Sequence, residues 1–321
     1  MLALDRLGRP RRHGLGAADR LARSHGQRFA LGGVAFELLA AGPTPAGFAL
    51  EPDAARYAVA AERYPVVADV LCSVAIDDAL FADESPYGGL ELAEGAFEQL
   101  EHGELVLRAP RVQATLCRIA PQRYACSARI AGDPRALTAL LRSIVAVVVH
   151  AAGGVVLHAA GVAIDDHAVV YVGPSGAGKS TAATLTDGAR MFAWDHVALM
   201  PQRDGGALAY GLPGGTVAPM ARTDRVVWPL GAVFRILRDG ADVPTPHIPR
   251  ATVLHGAQAL FALREAVESS DASTDAEQSR LKAAGAIADT AIVGTLHTVL
   301  GVSIGRLVRS HISTLETGAR A

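Results

Sequence analysis

Residues 169–181 read Val-Val-Tyr-Val-Gly-Pro-Ser-Gly-Ala-Gly-Lys-Ser-Thr. The apolar run ends at a glycine, and the residues from that glycine onward match the pattern G-x-x-x-x-G-K-[ST] at every fixed position. Glycines let the backbone turn tightly, so that successive N–H groups converge on phosphate oxygens. The stretch therefore predicts a nucleotide-binding loop made of Gly173, Pro174, Ser175, Gly176, Ala177, Gly178, Lys179, Ser180 and Thr181.

Two side chains of this loop have specific chemistry. Lys179 is expected to reach the β- and γ-phosphates, and the Ser180 hydroxyl is expected to ligate Mg²⁺. The chain has 30 Lys+Arg, of which only Lys179 and Lys282 are lysines. A lysine that matches the pattern at this position by chance is therefore improbable. The pattern predicts ATP and Mg²⁺ as cofactors.

The composition of the chain restricts its partners. A net charge of −2 over 321 residues gives no reason to expect nucleic acid or an anionic membrane surface. The three cysteines form no metal-ligand pattern and favour a reducing, cytoplasmic location. Residues 144–164 lack charges but contain two histidines and a Gly-Gly pair, so we expect a buried helix followed by a buried strand rather than a membrane span.

Three segments differ in character along the chain. Residues 1–30 form an arginine-rich segment, which predicts a flexible arm. Residues 31–132 alternate short apolar runs with Gly- and Pro-rich turns, which predicts a β-rich docking or scaffold domain, with a helix near residues 65–76. Asp133-Pro134 is a favourable helix start, so we place the beginning of an α/β domain at residues 133–321.

The order of elements around the loop suggests where a catalytic group lies. A short helix that ends at Asp187 is followed by a strand and then by Asp195, only sixteen residues after Lys179. This spacing places Asp195 beside the loop, where it could hold Mg²⁺ or accept a proton from an attacking hydroxyl. His158 lies on the strand before the loop, and a hairpin could carry it to the same site; an ordinary core histidine is the alternative.

Three segments together, residues 157–165, 173–181 and 194–199, resemble the kinase domain of the HPr serine kinase/phosphorylase superfamily. They look most like the HPr-kinase-related proteins of peptide-modification gene clusters, including lasso-peptide tailoring kinases. The resemblance implies an α/β phosphate-loop domain of the HPr kinase and phosphoenolpyruvate carboxykinase type, and a serine kinase acting on a peptide or small protein. It also implies that His158 tunes Asp195, that Asp195 deprotonates the acceptor serine, and that the chain forms a homo-oligomer.

The sequence departs from this family at two places. His196 stands where the family has the second residue of an Asp-Asp pair, and residues 205–216 lack the family's glycine-rich phosphorylase signature. HPr as the substrate and the reverse, phosphorolytic reaction are therefore not expected. Two other functions stay open: a small-molecule kinase of the sulfate-adenylate or gluconate type, and an inactive nucleotide-binding scaffold that recruits a precursor peptide.

Arginines of the second half are candidates for stabilising a transferring phosphate. The sequence does not choose among them, and solvated surface arginines are the ordinary alternative. Both tryptophans, Trp194 and Trp228, are expected to pack rather than to bind a base. The four candidate arginines are Arg222, Arg225, Arg235 and Arg238.

Overall fold

A computed structural model describes residues 27–41, 58, 65–81, 97–99, 104–109, 111–203, 205–214, 225–237, 248–267 and 274–316. Most of the predicted arm, together with Arg222 and Arg238, lies outside the described residues. The chain divides into two compact units, Met1–Val145 and Ala146–Ala321. The boundaries that the sequence places at residues 30 and 132 stay predictions.

The first unit contains a seven-stranded sheet with the strand order β1-β2-β3-β7-β6-β5-β4. The pairs β2–β3 and β3–β7 are parallel, and the remaining neighbours are antiparallel. The two strands that flank residues 121–122, β6 and β7, are antiparallel neighbours. The strands are β1 (Gln27–Leu31), β2 (Val34–Ala40), β3 (Ala68–Ile76), β4 (Phe97–Gln99), β5 (Glu104–Ala109), β6 (Val112–Ala120) and β7 (Arg123–Ile130).

The prediction of a helix near residues 65–76 is wrong, because this segment forms the strand β3. Ala68, Val70, Cys72 and Val74 are buried and alternate with more exposed residues, which is the period of a strand. The strand pairs on both sides, with β2 and with β7. These long-range pairs satisfy the backbone of β3 and outweigh its local helical preference.

The predicted helix start at Asp133 is confirmed. Helix α1 (Pro134–Ala151) is 18 residues long, and the backbone N–H of Arg135 donates to Asp133 Oδ1 at 2.9 Å. Proline at the first helical position lacks an N–H that would have no partner inside the helix. None of the helices in the described ranges combines the length and apolar character that crossing a bilayer requires.

The second unit contains an eight-stranded sheet with helices packed on it, so the chain is a mixed α/β protein with two sheets, built mostly from strands. The strands are β8 (Val155–Ile164), β9 (His167–Val172), β10 (Arg190–Ala193), β11 (His196–Pro201), β12 (Ala207–Leu212), β13 (Val227–Leu237), β14 (Arg250–Val253) and β15 (Ile292–His297). The helices are α2 (Lys179–Leu185), α3 (Ala257–Arg264), α4 (Thr274–Thr290) and α5 (Gly305–Glu316).

Strand β8 changes its partners along its length, and this change places the site. Its first part pairs with β11, from Val155 opposite Leu199 to His158 opposite His196. From Ala159 onward it pairs with β9 in the predicted hairpin. The end of β9 at Val172 and the start of β11 at His196 therefore lie opposite neighbouring residues of β8, Ala159 and His158.

Two apolar cores hold the helices on the sheet. One core packs Val172 and Ala159 against α3 and α4 through residues such as Leu263. The other core packs Tyr171 and Ala160 against α2 and α5. Because adjacent residues of a strand point to opposite faces, five strands contribute to both cores, namely β8, β9, β10, β13 and β15, and this explains their nearly continuous apolar sequences.

Candidate functional site

The segment between β9 and α2 has the backbone that the glycine pattern predicts. Gly173, Gly176 and Gly178 have φ angles of 148°, 70° and 101°, a region that other residues rarely adopt. A Cβ on Gly173 would also lie 3.1 Å from the Cβ of Ala177, across the turn. The segment is thus a compact loop whose fold depends on glycine at these positions.

Lys179 lies inside this loop. Its side chain is buried, with 7% of its surface exposed. The ammonium group donates hydrogen bonds to the carbonyl oxygens of Gly173 at 3.0 Å and Pro174 at 3.2 Å. Burial lowers the pKa of Lys179, and the negative charge of Asp195 acts in the opposite direction. The ammonium is therefore held at the loop by neutral carbonyls, with Asp195 near enough to affect its charge.

A buried pair of hydroxyl groups attaches the end of helix α2 to strand β9. Tyr171 Oη and Thr186 Oγ1 are 2.7 Å apart, and Thr186 Oγ1 donates to the carbonyl oxygen of Ala182 at 2.8 Å. Since the threonine proton is used on Ala182, the tyrosine must be the donor in this pair. The bond joins the strand before the loop to the end of the helix after it, which fixes both ends of the loop–helix segment.

Asp195 lies between two histidines. His158 Nε2 is 3.0 Å from Asp195 Oδ1, and His196 Nδ1 is 3.5 Å from Asp195 Oδ2. The two rings have centroids 5.5 Å apart, because His158 and His196 are directly opposite each other on β8 and β11. His196 is buried at 3% exposure, whereas the side chains of His158 and Asp195 are 40% and 29% exposed. The structure thus brings together Asp195 and His158 as the sequence predicts, and adds His196.

Backbone hydrogen bonds fix the positions of these residues. The carbonyl oxygen of Asp195 accepts from the N–H of Ala159 at 2.7 Å, and the N–H of His158 donates to the carbonyl oxygen of Ala266 at 3.1 Å. Ala266 follows helix α3, which sequence reasoning did not connect with the site. The pair of His158 and Asp195 is therefore held by main-chain contacts on both sides of β8.

Gly214 is a further residue of the site that sequence reasoning missed. It lies two residues after β12 and packs against His196 and Asp195. The only signal in the sequence is a Pro-Gly-Gly turn, which does not distinguish a contact with a site from an ordinary loop.

The two candidate arginines among the described residues have protein partners. The Arg225 guanidinium stacks on the ring of Trp228 at 4.1 Å, and it lies 4.0 Å from a carboxylate oxygen of Asp166. Arg235 forms an ion pair with Glu265 at 2.6 Å. Trp228 and Trp194 pack against the apolar cores, as expected from the sequence.

The row of residues across the sheet shows where Arg235 points. Arg235 is opposite Val172 on β9, and Val172 is opposite Ala159 on β8. Side chains in one row share a face, and this row faces the core under α3 and α4. His158 belongs to the next row, so its side chain leaves the other face of the sheet.

The residues present fit a nucleotide with its magnesium ion. Mg²⁺ in phosphate sites keeps several waters and takes one or two protein oxygens together with the phosphates. Ser180, in the first turn of α2, and Asp195 would supply such oxygens, and Ser180 is partly exposed. Throughout the described ranges, His, Cys, Asp and Glu form no group of three that could hold a metal ion by itself.

Comparison with known proteins gives a weak structural likeness. No protein-family model matches the chain, and no curated protein matches its sequence. Among solved structures, the Hpr(Ser) kinase/phosphatase from Coxiella burnetii matches with a TM-score of 0.29 and 11% sequence identity. The match covers 52% of this chain and 99% of that chain. A TM-score of 0.29 is too low to assign a fold or a function.

Proposed function

We propose that the protein is an ATP-dependent serine kinase that transfers the γ-phosphate to a hydroxyl of a peptide or small protein. The observation that carries this proposal is the pair His158 Nε2–Asp195 Oδ1 at 3.0 Å, next to a glycine loop that holds a buried lysine. A carboxylate oriented by an imidazole is suited to accept a proton from a hydroxyl, and the loop is suited to bind phosphates.

Each residue then has one role. The loop N–H groups and Lys179 bind the phosphates, and the Ser180 hydroxyl holds the Mg²⁺ that accompanies the nucleotide. His158 donates to Oδ1 of Asp195 and keeps its carboxylate turned toward the acceptor. Asp195 takes the hydroxyl proton as the acceptor oxygen forms its bond to the γ-phosphorus, and the bond from that phosphorus to the β,γ-bridging oxygen breaks to release ADP. When bound, Mg²⁺ supplies charge that stabilises the negative phosphate oxygens.

A test compares two variants of the site with the unmodified protein. Asp195→Asn retains the shape of the side chain but removes its basicity, and Lys179→Ala removes the ammonium. Phosphate incorporation from γ-labelled ATP would be measured against a panel of serine-containing peptides and, separately, of hydroxylated metabolites. We expect transfer to a peptide, lowered on the order of 100-fold or more by Asp195→Asn.

Asp166→Asn is the matched control, because it makes the same change at an exposed turn. Asp166 lies at the far end of the β8–β9 hairpin, and its side chain is 89% exposed. Asp166→Asn should therefore leave the rate of phosphate transfer unchanged. Full activity of Asp195→Asn would contradict the mechanism. Transfer to a metabolite alone would support a small-molecule kinase, and tight ATP binding without transfer to any acceptor would support a scaffold.

A further inference from the structure

The backbone of Gly214 lies so close to Asp195 and His196 that no side chain would fit at this position. A Cβ at this position would lie 2.4 Å from Nδ1 and 3.1 Å from Cε1 of His196, and 3.3 Å from the Cβ of Asp195. A separation of 2.4 Å between these atoms is a steric overlap, so either the ring or the backbone would have to move. Gly214 is not among the glycines with positive φ, so space and not backbone strain excludes alanine here.

The His196 ring has little freedom to avoid such a contact. It is 3% exposed, and its strand is paired on both sides, with β8 and with β12. Nδ1, the atom nearest to a Cβ at position 214, is also the atom 3.5 Å from Asp195 Oδ2. The backbone at Gly214 therefore limits the position of the nitrogen that faces the carboxylate.

We propose that Gly214 is a positioning residue: its missing side chain lets the His196 ring lie against Asp195, so that imidazoles flank both carboxylate oxygens. His158 holds Oδ1, and His196 lies beside Oδ2. A carboxylate bounded on both sides resists rotation about its Cβ–Cγ bond. The contact between Gly214 and His196 does not depend on the proposed function. Only the effect of this contact on catalysis rests on the proposed function.

The consequence for catalysis follows from this geometry. A ring displaced by a new methyl group would press on Asp195 or leave Oδ2 without its neighbour, and either change would turn the carboxylate away from the acceptor. Small misplacements of a catalytic group lower rates by factors of about 10 to 100. Nucleotide binding would depend on the loop of Gly173 and Lys179, whereas the three atoms nearest to an ideal Cβ on Gly214 belong to His196 and Asp195.

A double-mutant cycle separates this role from a general structural one. The variants are Gly214→Ala, His196→Ala and the two combined, with Gly285→Ala as the control, because a Cβ on Gly285 in α4 would meet nothing within 4 Å. Four measurements are made on each variant. They are the melting temperature, the affinity for a fluorescent ATP analogue, the long-range ¹H–¹⁵N signals of the histidine rings, and the rate of phosphate transfer from ATP to an accepted peptide.

Gly214→Ala is expected to lower the melting temperature by about 5 °C, as overpacking does. It should also shift the His196 ring signals, leave nucleotide affinity unchanged within about 2-fold, and lower the transfer rate at least about 10-fold. When His196 is already alanine, the same substitution should lower the melting temperature clearly less, because the colliding ring is gone and only the 3.3 Å contact with the Cβ of Asp195 remains. Gly285→Ala should show none of these losses.

Two results would overturn the inference. One is an unchanged His196 ring spectrum in Gly214→Ala, and the other is an equal loss of melting temperature with and without His196. A protein that transfers phosphate to no acceptor would refute the proposed kinase, while the ring spectrum and the melting temperatures would still decide the role of Gly214.

Discussion

The buried pair of Tyr171 and Thr186 gives a quantitative prediction about the segment that carries the glycine loop. Both side chains are almost fully buried, and their hydroxyl oxygens are 2.7 Å apart. Tyr171→Phe removes a donor, and the Thr186 hydroxyl keeps its bond to Ala182, so we expect a loss of about 1 kcal/mol. Thr186→Val leaves the tyrosine proton buried without an acceptor and also removes the bond to Ala182, so we expect about 2 to 3 kcal/mol.

Combining the two substitutions sharpens this prediction. With both hydroxyls gone no donor is left unsatisfied, so the double variant should lose clearly less than the sum of the single losses. Both tryptophans of the chain, Trp194 and Trp228, lie in the unit Ala146–Ala321. Urea unfolding followed by tryptophan fluorescence therefore reports on this unit alone, which avoids mixing two transitions.

The reasoning would be refuted by either of two results. If Thr186→Val lost no more stability than Tyr171→Phe, the tyrosine would not be the donor. If the losses were additive, the hydroxyls would not interact. Tyr210→Phe is a comparison in the same unit, since Tyr210 is also buried and burial raises its pKa to about 12.

Three further predictions concern single residues. A hydrogen bond from the Ser303 hydroxyl holds the pKa of Asp187 below its usual value. The carboxylate therefore stabilises the fold above the unfolded pKa of about 3.9, and this stabilisation is lost as the pH falls through the folded pKa. The difference in urea midpoint between the unmodified protein and Asp187→Asn should shrink below about pH 4. Burial raises the pKa of Cys117 to about 11, so alkylation by iodoacetamide at pH 8, followed by mass spectrometry, should be far slower than that of glutathione, and equal rates would contradict this. A Cβ on Gly161 would lie 2.6 Å from the ring of Phe192, so Gly161→Ala should lose about 1 to 3 kcal/mol by urea unfolding, and an unchanged midpoint would show that the ring can move.

Local features of the fold could be predicted where the determinant is local. Gly173 and Gly178 turn the loop because their own φ angles are restricted for other residues. Helix α2 ends early, where Thr186 bonds back to the helix and Gly188 turns the chain at φ 75°. The start of α1 at Asp133 depends on one side-chain hydrogen bond two residues away in sequence.

The residues 65–76 show where local reasoning fails. Their apolar content is compatible with a helix or a strand, and the choice was made by β2 and β7, whose edges lie on either side of β3. Pairing with strands more than 25 residues away in sequence leaves no local trace.

The sequence by itself determined that a glycine-turned loop, a short helix and Asp195 follow one another, because each is specified by the residues within it. Only the tertiary structure decided that His196 is opposite His158, that Gly214 contacts both His196 and Asp195, and that Arg235 pairs with Glu265. The physical reason is register: a shift of one residue between β8 and β11 would move His196 to the other face of the sheet, and no residue near His196 in sequence specifies that register.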